Sequence, residues 1–168
     1  MADLYVTWTD YHTAIERLAV AVHASGWRFN QIVCIARGGL RVGDTMSRIF
    51  KLPLAIISTQ SYAGDGGNER GALTVAKYMT MTTPALGDRV LLVDDLVDSG
   101  VTLDAVKRHL LATHADIAEV RTAVLWYKAC STCKPDYHVH HLPENPWIHQ
   151  PFEPYERMSA AELGEQAR

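Results

Sequence analysis

No apolar stretch approaches the roughly 20 residues that span a bilayer, so no membrane-spanning helix is expected. The first residues, MADLYVTWTDYHT, have neither a basic start nor an apolar centre, unlike a secretory signal. A cytoplasmic protein is expected. Basic excess is missing too: 16 Lys and Arg stand against 19 Asp and Glu, a net charge of −3. That balance argues against a general nucleic-acid binder. Cysteine is scarce. Cys34, Cys130 and Cys133 are an odd number in a chain read as intracellular, so free thiols are expected. Neither G-x-x-x-x-G-K-[ST] nor G-x-G-x-x-G occurs, which excludes both common nucleotide fingerprints. There is no internal repeat.

What is present is a chain of 168 residues, 48% hydrophobic, enough for one domain with a sizeable core. Residues 7–25 show apolar Tyr11, Ile15, Leu18 and Val22 at helical spacing. Thr7 or Thr9 caps that helix and Gly26 closes it. Gln31–Ala36 reads as a buried strand, Arg37-Gly38-Gly39 as a turn, and Leu40–Phe50 as a helix. Leu54–Ser58 is a further strand. Residues 60–71, QSYAGDGGNERG, hold four glycines and read as a functional loop. Leu73–Thr82 is β-rich and a candidate to pair with the loop's other arm. Arg89–Val93 and Val120–Tyr127 are strands and Thr102–Ala112 is a helix. Strands alternating with helices indicate a parallel α/β sheet. From Lys128 onward the pattern breaks among Pro135, Pro143, Pro146, Pro151 and Pro154, and an irregular flap is expected. Residues 159–168 read as a short helix or a frayed tail.

Residues 89–103, RVLLVDDLVDSGVTL, carry the most chemistry. An apolar strand ends in Asp94 and Asp95, then turns through Asp98, Ser99 and Gly100 into a helix. A helix start offers free N–H groups to a phosphate, and the Ser99 and Thr102 hydroxyls add donors. The acids beside it suit hydroxyl groups or a metal. Ligands of open α/β sheets sit at the carboxyl ends of the strands, where Arg37-Gly38-Gly39 also falls. Together these features suggest a sugar phosphate.

VLLVDDLVDSGVTL resembles the phosphoribosyl pyrophosphate motif of type I phosphoribosyltransferases. YVTWTDYHTAIERLA is similar to the start of xanthine-guanine phosphoribosyltransferases, IARGGL to their S-R-G-G-L pyrophosphate loop, and WIHQPFE to their W-I-E-Q-P-W-D hood. KPDYH looks like a segment of related archaeal and bacterial purine enzymes. The resemblance implies one domain over 1–168, α/β, with a parallel sheet core flanked by helices over about 1–127 and a small C-terminal hood over about 128–158. It implies transfer of the phosphoribosyl group of 5-phosphoribosyl 1-pyrophosphate to a 6-oxopurine (guanine, xanthine or hypoxanthine) in purine salvage. It also implies Mg²⁺ and a homodimer or homotetramer.

Site residues follow by resemblance. Asp98 faces purine N7 as the catalytic group. Asp98, Ser99, Gly100, Val101 and Thr102 hold the 5′-phosphate. Asp94 and Asp95 bind the ribose, and Asp95 reaches a metal water. Arg37 and Gly38 bind pyrophosphate, and family members often hold the peptide before this basic residue in the cis form. Ser61, Tyr62 and Arg70 belong to the flexible loop. Lys128 donates to O6, Trp147 stacks on the purine, and Ile148 lines its edge. His149 and Phe152 depart from the family's Glu and Trp, which leaves the preferred purine open. The alternatives are a transferase for adenine or a pyrimidine, or a non-catalytic regulatory relative. Cys130-x-x-Cys133 with His138 and His140 is spaced more tightly than common zinc sites, and free thiols are the preferred reading.

Overall fold

The computed structural model describes residues 3–63 and 70–166, with side chains at 61–72 and at 166 outside the description. A six-stranded sheet runs in the order β4-β3-β2-β5-β6-β7. Its strands are β2 (Gln31–Ala36), β3 (Leu54–Ala63), β4 (Arg70–Val75), β5 (Arg89–Val97), β6 (Glu119–Lys128) and β7 (Tyr137–Leu142). All neighbours are parallel except β3 and β4, which form an antiparallel hairpin. The β-rich segment after the glycine loop does pair with the loop's other arm, from Arg70 onward.

Helices α1 (Trp8–Ala24) and α2 (Leu40–Phe50) share a core that faces one side of the sheet, and α3 (Val101–Thr113) contributes to the core on the other. Strand alternation explains this division. Ile32, Cys34, Leu91 and Val93 pack with Tyr11, Ile15, Leu18 and Met46. Their neighbours Val33, Ile35, Val90 and Leu92 pack with Leu103, Val106 and Leu110. Central strands buried on both faces therefore read as continuous apolar runs, as in other doubly covered parallel sheets.

Helix α1 begins at a capping box. Thr7 Oγ1 accepts from the Asp10 N–H, and Asp10 accepts in return from the Thr7 N–H. Gly26 follows it at φ 73, as a left-handed helix stop requires.

Three readings are corrected. Strand β3 does not stop at Ser58 but runs to Ala63, into the segment read as a loop. Strand β5 does not stop at Val93 but continues through both acids to Val97, paired with β6 as far as Tyr127. The segment after Lys128 is not wholly irregular, because YHVHHL forms β7 on the edge of the main sheet. Its three histidines hid the strand, since they break the apolar pattern on which strand reading depends. A second, two-stranded sheet pairs β1 (Leu4–Tyr5) with β8 (Ile148–His149), so the amino-terminal segment holds the segment after Trp147. A 3-10 turn (Glu153–Glu156) and α4 (Ala160–Gln166) follow.

Candidate active site

The carboxyl ends of β2 and β5, the middle of β3 and the start of α3 line a cavity of about 260 Å³. Its lining includes Arg37, Gly38, Thr59, Asp94, Asp95 and the stretch Asp98–Gly100 with Thr102. This is where parallel α/β sheets bind ligands, because crossing connections leave a crevice there. Thr59 was missed in the sequence. It lies one residue past Ser58, which pairs with Ala36 at the end of β2. The available signal was its place directly after the strand read over Leu54–Ser58, where ligand-binding residues of parallel sheets fall.

Two turns form the facing walls. After β2 the Ala36–Arg37 peptide is cis. Gly38 and Gly39 then lead into α2. A Cβ on Gly39 would lie 2.7 Å from the Val93 carbonyl oxygen and 2.8 Å from that of Ile35. A Cβ on Gly38 would lie 2.5 Å from Asp95 Oδ1. Only a bare backbone can pass this close to the acids, so the turn brings the Gly38 and Gly39 peptides against β5. Below it, the buried Tyr11 hydroxyl lies 3.5 Å from the Gly38 carbonyl oxygen.

After β5 the chain turns at Gly100, whose φ of 85 favours glycine. Gly100 is the N-cap of α3, and the helix start has no side-chain cap hydrogen bond. Asp98 is therefore not the cap of this helix, and its carboxylate remains largely exposed. Ser99 Oγ accepts weakly from the Val101 N–H at 3.4 Å. The Thr132 N–H and hydroxyl both donate to the Ser99 carbonyl oxygen, at 3.0 and 3.1 Å, and hold this loop from outside.

Asp94 and Asp95 sit half-buried, and the Asp95 N–H donates to Asp94 Oδ1 at 2.9 Å. Burial first, and the Asp95 charge second, hold the Asp94 carboxyl well above the usual carboxylate range. Burial also raises Asp95. Two carboxylates crowded in this way attract cationic or hydroxyl-rich ligands. Mg²⁺ favours oxygen donors and commonly uses one or two carboxylates plus substrate phosphates. The Asp94–Asp95 donor set fits that pattern. Among the described residues no group of three or more His, Cys, Asp or Glu is placed to hold a metal.

The remaining predicted residues join through Asp98. Lys128 ends β6 with its side chain buried and Nζ 3.4 Å from Asp98 Oδ1. The same ammonium lies 5.9 Å from the centre of the exposed Trp147 ring, within cation–π reach. The Ile148 side chain packs into the core that holds Tyr11, and its backbone pairs with Leu4 in the β1–β8 ladder. Arg37 lines the cavity but is mostly exposed, 3.8 Å from Glu156 Oε1. Ser61 and Tyr62 belong to β3 and Arg70 to β4, not to a loop as the sequence reading had them, and their side chains lie outside the described residues. Cys130 was missed as a site neighbour. Its Sγ is 3.5 Å from Asp98 Oδ1, a contact across 32 residues of sequence.

With this geometry in place, the class of protein follows. Residues 7–157 match the phosphoribosyl transferase domain model, and the chain belongs to that family. Among individual relatives, it is 30% identical to the xanthine-guanine phosphoribosyltransferase of Gluconobacter oxydans, over 88% of this chain and 83% of that one. It is 27% identical to the xanthine-guanine phosphoribosyltransferase of Idiomarina loihiensis, over 90% of this chain and 87% of that one. The solved purine phosphoribosyltransferase of Pyrococcus horikoshii Ot3 superposes with a TM-score of 0.74 at 27% identity, over 90% of this chain and 95% of that one.

Proposed function

We propose that the protein transfers the phosphoribosyl group of 5-phosphoribosyl 1-pyrophosphate to N9 of a 6-oxopurine, releasing pyrophosphate, as a purine salvage enzyme. The observation that carries this reading is the Asp98–Lys128–Trp147 group beside the Asp94–Asp95 cavity. The relatives' names support a purine acceptor.

In this reading each wall has one task. The start of α3 and the Ser99 and Thr102 hydroxyls bind the 5′-phosphate. Asp94 and Asp95 accept hydrogen bonds from the ribose hydroxyls. Arg37 and the Gly38 backbone hold the pyrophosphate as negative charge grows on it. Asp95 would hold Mg²⁺ through a water, and the bound ion would neutralise charge on the leaving group. Lys128 leaves Asp98 to donate to the purine O6, a carbonyl acceptor that adenine's amino group does not offer. Trp147 stacks on the ring and the Ile148 backbone borders it. Asp98 then takes up or relays a proton at N7. The catalytic contribution is positioning and charge stabilisation.

Pyrophosphate release with Mg²⁺ and guanine, xanthine, hypoxanthine, adenine or uracil tests this directly. Turnover is expected with 6-oxopurines, and a chelator should abolish it. Asp98→Asn should lower kcat about 10²–10⁴-fold while binding of 5-phosphoribosyl 1-pyrophosphate is retained. Turnover confined to adenine or uracil would overturn the base assignment. No turnover with any base would indicate a regulatory relative.

A further inference from the structure

The two sides of the candidate purine site sit on different turns. Lys128 opens the turn at the end of β6, and Trp147 follows the turn at the end of β7. One side chain joins them. Asn145 Oδ1 accepts the Cys130 N–H at 2.8 Å, across the gap between the turns. Asn145 has a φ of 51, in the left-handed region that Asn tolerates better than most residues.

Pro143 and Pro146 flank the position, and their rings fix their own φ and so restrict the turn. The turn's backbone contributes the Ala129 N–H to the Leu142 carbonyl oxygen at 3.1 Å and a long Asn145 N–H to the same oxygen at 3.4 Å. On the far side, the Leu4 N–H donates to the Trp147 carbonyl oxygen at 2.8 Å and anchors that segment to β1. Cys130 is itself placed against Asp98, with Sγ 3.6 Å from its carbonyl oxygen and 3.5 Å from Oδ1. A continuous chain of contacts therefore runs from Trp147 through Asn145 and Cys130 to Asp98 and Lys128.

We propose that Asn145 is a positioning residue for the purine, locking the Trp147 turn to the Lys128 turn so that the stacking ring and the O6 donor keep a set separation. The assignment rests on the 6-oxopurine reading above and adds to it a residue that touches neither substrate. Asn145 acts on the acceptor base and not on the donor sugar, whose contacts lie on β2, β5 and α3.

Two variants separate the lock from the backbone conformation. Asn145→Gly keeps the left-handed turn and loses the acceptor. Asn145→Asp keeps both. The glycine variant should raise the KM for the purine about tenfold, as loss of one hydrogen bond allows. Its KM for 5-phosphoribosyl 1-pyrophosphate should stay near the wild-type value. Amide exchange at Cys130, read by NMR, should speed up in the glycine variant and remain slow in the aspartate variant, with no turnover needed. Equal behaviour of the two variants, or an equal rise in both KM values, overturns the proposal. An active wild type whose glycine variant matches it overturns the lock alone. A wild type that uses no base overturns the purine reading and the positioning role with it.

Discussion

Asp94 shows how one residue can oppose stability for the sake of a site. It is held half-buried beside a second acid, and burial and that neighbour raise its carboxyl well above the usual range. A carboxyl raised on folding contributes stability below its unfolded value near ~3.9 and loses it as pH rises through the folded value. Asp94→Asn removes the charge and keeps an oxygen to accept the Asp95 N–H. The ligand-free variant should melt about 2–4 °C above the wild type near neutrality, a gain typical of relieving a strained active site. Scanning calorimetry from about pH 4 to about pH 8 should show that advantage growing with pH. A variant that melts lower throughout would mean that the pair stabilises the empty protein. The expected effect on turnover is the opposite, a large loss.

At the scale of elements, the site depends on backbones that approach closely. The turn from β2 to α2 fits against β5 because Gly39 has no Cβ. The atoms that would block a side chain there are carbonyl oxygens of Ile35 and Val93, which belong to two central strands and cannot swing aside. Gly39→Ala should therefore destabilise by about 2–4 kcal/mol, an overpacking cost at the upper end for one methyl group. Chemical denaturation would measure it, and a change below about 0.5 kcal/mol would show that the turn moves freely. The glycines, the acids and the helix start were all legible in order along the chain, since each is a local signal. Strand β7 was not legible. Its edge position leaves its residues only partly buried, so histidines are tolerated where a central strand would demand apolar residues.

Across the whole molecule, the segment after Trp147 is attached to the amino-terminal segment through β1 and β8. His149 reinforces the joint, with Nε2 3.1 Å from Asp3 Oδ2, Nδ1 2.9 Å from Glu153 Oε2, and the Tyr5 ring stacked at 4.4 Å. The Asp3 hydrogen bond first, and then Glu153, raise its imidazole above the ordinary value. A histidine raised on folding stabilises fully below its unfolded value near ~6.5 and loses that contribution as pH rises through the folded value. The melting difference between wild type and His149→Gln should accordingly be largest near pH 6 and shrink toward about pH 9. A difference independent of pH would show that the ring acts by packing alone. His138 and His140 shift the other way, lowered chiefly by burial, so their contribution is lost as pH falls through their folded values.

The sequence by itself determined the layered α/β class, the order of most elements and the acidic strand-to-helix motif of residues 89–103. Those features are local: apolar alternation, caps, glycines and adjacent acids act within a few residues, so their meaning survives without knowledge of the fold. The family resemblance groups Lys128 and Trp147 with Asp98, but local pattern does not, and only tertiary structure adds Cys130. Lys128 is 30 residues away along the chain, Cys130 is 32 and Trp147 is 49, and parallel pairing of β5, β6 and β7 brings their turns to one end of the sheet. Contacts made across crossovers leave no periodic trace in sequence, because each partner's local pattern is satisfied without the other. For the same reason Asn145 reads as an ordinary turn residue between two prolines until its side chain is seen holding Cys130.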